Sequence, residues 1–243
     1  METTIHRWTP HSNRQLFWCD MDHEDRWHTN MRTPDKFKIL ASNGWDKSDI
    51  ITYKFNSHGF RCDEFSQEPG ILTLGCSFTG GVGLPEDKIW PTLVANQLNL
   101  KLWNFGVGSA SMDSCFRLLN HYISKLNVKI VFFLTPGKNR FELFLPDGNI
   151  KWAIPGQQNI DNYQKNWYQN DQNSLQNYQK NIMAIRYLCQ KNSVKLVEKN
   201  SFDHLLQVPG LTEFARATDR ARDLDHPGAL SHKLCADIFL TEV

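Results

Sequence analysis

Ile71-Leu72-Thr73-Leu74-Gly75-Cys76-Ser77-Phe78-Thr79-Gly80-Gly81 runs from an apolar stretch into a turn of glycines and small polar residues. The first four residues lack polar alternation and stop abruptly at Gly75, which suits a strand buried on both faces of a parallel sheet. Downstream, Ile89 to Leu98 carries Trp90, Leu93, Val94 and Leu98 at helical spacing. Lys101 to Phe105 reads as the next strand, Met112 to Leu126 as a helix, and Lys129 to Leu134 (KIVFFL) as another fully buried strand. A helix from Leu175 to Lys191, a strand from Val194 to Val197 and a last helix from Pro227 to Leu240 complete the alternation. In that last helix Pro227 is expected at the first position, with Leu230, Leu234, Ala236 and Ile238 buried. Strands alternating with helices predict an α/β fold, a three-layer α/β/α sandwich with a mainly parallel central sheet.

Outside this alternation the texture changes. Residues 1–49 are polar, Trp-rich and aperiodic, and read as an N-terminal extension or arm anchored by Trp8, Trp18, Trp27 and Trp45. Ile50 to Phe55 reads as a strand opening a domain over 50–243, and Asn56 to Gly59 as a turn. Residues 151–180 are crowded with Asn and Gln and read as a surface insertion, partly mobile, carrying Trp152, Trp167 and Tyr168. Those three aromatics fit either a sugar-stacking platform or the packing of the insertion itself.

Composition narrows the class. A chain of 243 residues, 40% hydrophobic and 22% charged, is neither disordered nor fibrous and is long enough for one sizeable core. Lys+Arg 27 against Asp+Glu 26 leaves a net charge of +1, so no global field draws nucleic acid or an anionic membrane. No apolar stretch is long enough to insert in a bilayer. The opening METTIHRWTPHSNRQ lacks a basic-then-apolar export signal, and a cytoplasmic location is expected, in a host cell or a virion. Six scattered cysteines without a CxxC pair are expected as reduced thiols. The cluster Cys19, Asp20, Asp22, His23, Glu24, Asp25 and His28 holds metal-ligand types at no recognised spacing and reads as a solvated acidic stretch.

Two distant segments carry chemistry. Ser77 leaves a buried strand at its carboxyl end, where open parallel sheets bind ligands, although a Ser/Gly turn also serves simply to connect a strand to a helix. Asp223-Leu224-Asp225-His226-Pro227-Gly228 places a carboxylate three residues before a histidine, near enough in a turn to fix the imidazole tautomer. Alone, this second segment is equally a helix cap with a solvated charge. Together they offer a hydroxyl and the positioned base that a serine needs to become a nucleophile. The nucleophile elbow G-x-S-x-G is absent because Thr79 stands where its second glycine belongs.

These residues resemble the SGNH (GDSL-like) hydrolases. Ile71 to Thr79 is similar to their first block, Trp103 to Ser109 (WNFGVGS) to the second, Val131 to Asn139 (VFFLTPGKN) to the third, and Asp223 to His226 to the fifth. Asn56 to Arg61 (NSHGFR) resembles a lead-in found in variants of the family, some of them carried by bacteriophages. The resemblance spans about residue 50 to the C-terminus and implies a serine esterase of acyl or acetyl esters working through an acyl-enzyme, without cofactor or metal. Ser77 is implied as nucleophile, His226 as general base and acid, and Asp223 as the group orienting His226. The implied oxyanion donors are the backbone N–H of Ser77, a backbone N–H of the Gly108–Ser109 loop, and the side chain of Asn139.

The departures define the rival readings. Cys76 stands where the family has an acidic residue, Ser109 where glycine is common, and Arg140 where an aspartate is common. Cys76 is a rival nucleophile, Asp225 a rival orienting acid, and His232 a surface or helix-packing residue. Small esters or acetylated carbohydrates are the expected partners, with the arm as a candidate contact for a second copy or an assembly partner. Acyl transfer to a sugar and a glycan-binding or virion protein without turnover are the alternatives.

Overall fold

Short strands β1 (Gln15–Leu16) and β2 (Tyr53–Lys54) pair antiparallel ahead of the main sheet, which is built from β3 (Gly70–Gly75), β4 (Lys101–Gly106), β5 (Val128–Thr135) and β8 (Lys195–Asn200). The computed structural model describes residues 5–154, 161–168, 170–200 and 219–243. The main sheet has the order β4-β3-β5-β8, and every neighbouring pair is parallel. A separate hairpin, β6 (Phe141–Phe144) with β7 (Ile150–Ala153), follows β5.

Strand periodicity sorts the core into two halves, because successive side chains point to opposite faces. Leu72, Leu74, Val131 and Phe133 pack with Leu118, Leu119 and Tyr122 of helix α5 (Met112–Tyr122) and Ile182 and Ile185 of α7 (Asp171–Lys191). Ile71, Phe132, Leu134 and Val197 pack instead with Trp90 and Val94 of α4 (Trp90–Leu98) and Cys235, Ala236 and Phe239 of α8 (Ala229–Leu240). Both sheet faces are thus covered, giving an α/β/α sandwich. Continuous apolar runs in β3 and β5 reflect that double burial.

The first 49 residues are more regular than their sequence suggests. They form α1 (Glu24–Arg32) and α2 (Pro34–Ser42), joined at Thr33, with Trp27, Met31 and Leu40 in a small core of their own. Trp8 is fully buried in the main core and sets its ring edge-on to Phe55. Ile50 to Phe55 contributes only the two residues of β2. Asp20 and Asp22 are not solvated; Asp22 is 1% exposed and paired with Arg222.

The Asn/Gln-rich region is also largely helical in its described residues, with α6 (Asn162–Tyr168) and an α7 that starts at Asp171 rather than Leu175. Its amides have a job, since Asn177 and Asn181 donate to Asp113 of α5. Residues 155–160 lie outside the described residues, as does the side chain of Tyr168. In α8 the expected face is displaced. Ala236 is buried and Ile238 packs on the core as expected, but Leu230 and Leu234 are exposed and His232, Cys235 and Phe239 are buried in their place. Pro227 precedes the helix in a bridge to Arg220, and Gly228 is the N-cap. All six cysteines are free and buried. Among the described residues no helix is long and apolar enough to cross a membrane.

Candidate functional site

The order β4-β3-β5 puts the first strand of the sheet between its two successors, so a crevice opens at the carboxyl end of β3. Ser77 begins the one-turn helix α3 (Ser77–Gly80) at that end. Cys76 is the N-cap in extended backbone, and its side chain is buried in the main core near Cys115. The hydroxyl of Ser77 faces the crevice instead, as alternation at a strand end requires.

A loop closed at its base delivers the partner groups. Ala221 N–H donates to the His226 carbonyl and Gly228 N–H to that of Asp219, while Asp219 accepts the N–H groups of Leu230 and Ser231 at the start of α8. At the tip Leu224 adopts φ +64°, which folds Asp223 back under His226. The N–H groups of Asp225 and His226 both donate to Asp223 Oδ1 at 3.1 Å, and His226 Nδ1 lies 2.5 Å from Asp223 Oδ2. On the opposite side of the ring, His226 Nε2 is 2.8 Å from Ser77 Oγ. Burial works to raise the Asp223 carboxyl, but the hydrogen bonds and charge of His226 and the Asp225 N–H hold it below the usual carboxylate range. An ionised Asp223 accepts Nδ1–H and leaves the Nε2 lone pair towards Ser77. The arrangement suits proton transfer from the hydroxyl to the ring.

Ser77 and His226 border a cavity of about 470 Å³. Phe78, Met21 and Ile154 supply apolar wall, and Arg7, Asp20, Arg140 and Asp225 supply charge. Phe78 meets the His226 ring edge-on at 5.5 Å. The Gly108–Ser109 loop forms a further wall, with Ser109 at φ +62°, in the left-handed region that favours glycine. Gly108 is tight against Asp20, whose Oδ2 would lie 1.9 Å from a Cβ there. That carboxylate is fixed in turn by Trp8 Nε1–H at 2.7 Å.

Ser77, Asp223, His226, Gly108 and Ser109 therefore converge. Asn139 lies in the loop between β5 and β6, with Oδ1 buried and unpaired, and the wall of the cavity is formed by its neighbour Arg140. Asp225 is turned away from the ring and pairs with Arg26 at 2.7 Å. His232 is fully buried and accepts Trp90 N–H through Nδ1, a packing role in α8. Trp152 donates to Glu142 and Trp167 packs on Phe141, so both hold the insertion down. No group of three potential metal-ligating side chains occurs among the described residues. Sequence reasoning missed Arg7, Asp20 and Met21, because nothing in their spacing links the arm to a crevice formed by strands far downstream.

The sequence matches no protein-family model and no curated protein. Among solved structures, the chain is similar to a member of the lipolytic protein G-D-S-L family from Veillonella parvula, at 13% identity and a TM-score of 0.37 over 72% of this chain and 97% of that one. A carbohydrate acetylesterase from Sinorhizobium meliloti aligns at 11% identity and a TM-score of 0.35, over 72% and 98% of the two chains. A catalytic mutant of an acetylxylan esterase from Geobacillus stearothermophilus aligns at 14% identity and a TM-score of 0.34, over 74% and 95%.

Proposed function

We propose that this protein is a serine esterase of small acyl esters, with Ser77 as nucleophile, His226 as general base and acid, and Asp223 as the carboxylate that orients His226. One observation carries the reading: His226 Nε2 is within hydrogen-bond reach of Ser77 Oγ while Nδ1 is held by a buried carboxylate, at the edge of an open cavity. Ser77 Oγ attacks the ester carbonyl carbon as its proton passes to Nε2. The tetrahedral oxyanion is received by backbone N–H groups of Ser77 and of the Gly108–Ser109 loop, with Asn139 as the third donor. The alkoxide leaves with the proton from Nε2, and the acyl group stays on Ser77. Water then attacks, gives its proton to Nε2, and the acid departs as Ser77 recovers its hydrogen.

The cavity favours a short acyl group on a polar alcohol. Phe78 and Ile154 offer apolar contact beside Ser77, while Arg7 and Arg140 offer hydrogen bonds to hydroxyls, as an acetylated carbohydrate would use. Hydrolysis of p-nitrophenyl acetate by wild type and Ser77→Ala tests the reading; a loss of roughly 10⁴-fold or more is expected. Equal rates in the two proteins would remove Ser77 from the reaction. Arg140 rather than Asn139 lines the cavity, which favours the other reading, a glycan-binding protein without turnover, and sugar binding by an unreactive Ser77 would select it.

A further inference from the structure

The loop that carries Asp223 and His226 is held chiefly by residues far upstream in the chain. Arg222, the neighbour of Asp223, donates from Nε to Asp22 Oδ1 at 2.9 Å and from Nη2 to Asp22 Oδ2 at 2.7 Å. Both side chains are 1% exposed, and the guanidinium lies over the rings of Trp18 and Trp27. Tyr53 Oη–H donates to Asp22 Oδ2 and accepts Gly83 N–H, while Gly83 in turn accepts Arg222 N–H. These bonds form a closed ring, Asp22–Arg222–Gly83–Tyr53. Gly83, at φ +79°, permits it, since a Cβ there would meet Ala221 at 2.8 Å and Asp223 Oδ1 at 3.2 Å.

Other contacts follow the same division. Arg220 is bonded through its backbone to Asn43 and Trp45, Leu224 packs on the Trp27–Met31–Leu40 core, and Asp225 pairs with Arg26. Residues 220, 222, 224 and 225 thus face the first 49 residues, whereas Asp223 and His226 face Ser77.

We infer that Asp22 and Arg222 are positioning residues that fix the Asp223–His226 loop against Ser77, so that the N-terminal segment is an integral part of the site. This rests on the esterase reading only for its consequence in turnover. Among the described residues, every group meeting the Asp22 carboxylate is a donor: Arg222 Nε and Nη2 and the Tyr53 hydroxyl. In Asp22→Asn the new amide NH2 must therefore oppose a donor, and Arg222 keeps a buried charge without its counter-ion. The loop shifts, and the gap between Nε2 and Ser77 Oγ widens.

The test uses the full chain, well below its unfolding temperature, with two readouts. On p-nitrophenyl acetate, Asp22→Asn is expected to lose about tenfold or more in kcat with KM within about twofold, the split that follows from impaired chemistry rather than impaired binding. By proton NMR, the downfield His226 Nδ1–H resonance, assigned by its absence in His226→Gln, should broaden or move. Tyr53→Phe, which keeps the ion pair and removes one link of the ring, should do the same more weakly and serves if Asp22→Asn does not fold. Unchanged kcat and an unchanged resonance in a folded variant would overturn the inference. An inert wild type would defeat the esterase reading instead, leaving the resonance to decide whether Asp22 positions the loop.

Discussion

Replacing Asp223 with asparagine changes one atom and reverses the proton arrangement of the site. Asp223 Oδ1 accepts two backbone N–H groups, from Asp225 and His226, so an amide there keeps its oxygen on the backbone and turns its NH2 to His226 Nδ1. The imidazole must then accept at Nδ1 and carry its proton on Nε2, where it donates towards Ser77 rather than accepting from it. The loop is preserved and the base is lost. In a serine–histidine–aspartate system, such a tautomer reversal costs roughly 10⁴-fold in kcat, about 5 kcal/mol of transition-state stabilisation. Steady-state hydrolysis of p-nitrophenyl acetate, with circular dichroism to confirm folding, measures it. A folded Asp223→Asn protein within about tenfold of wild-type kcat would refute the tautomer argument.

Asp225→Asn should leave kcat within about twofold, because that carboxylate meets Arg26 at the rim of the cavity and not the imidazole; a collapse of kcat would make it the orienting acid. His232 supplies a test of stability against pH. Burial, aided by the charges of His226 and Arg61, pushes it down from 6.5 to about 3, so it stays neutral in the folded protein while the unfolded chain takes up a proton. Stability is therefore unaffected above about pH 6.5 and falls as pH drops towards 3, by about 3 kcal/mol at pH 4.5 for this group. In urea unfolding, His232→Gln should lose less stability than wild type between pH 7 and pH 4.5, and an equal loss would assign the acid sensitivity elsewhere.

The sandwich was legible because its strands are buried on both faces. In β3 and β5 a run of apolar residues has no solvent face to interrupt it, so the sequence itself marks them. The Asp223–His226 turn was legible for a similar reason, since acid and base are close in the chain and their geometry is local. The arm was not. α1 and α2 are nine residues each, and only Trp27 and Met31, one helical turn apart, and Pro34 after Thr33 mark them. Asp20 and Asp22 looked solvated because their partners, Trp8 and Arg222, are named only by the tertiary fold. The buried stripe of α8 was read correctly at Ala236 and Ile238 but not at Leu230 and Leu234, because it runs through His232, a polar residue whose burial depends on accepting Trp90 N–H from another helix.

Whether Ser77 is a nucleophile activated by His226 is tested most directly by a fluorophosphonate probe and mass-spectrometric mapping of the adduct. One phosphonyl group per chain is expected, on the peptide containing Ser77, with labelling abolished in Ser77→Ala and strongly slowed in His226→Gln. Absence of an adduct on the folded wild type, or an adduct carried instead by Cys76, would contradict the account.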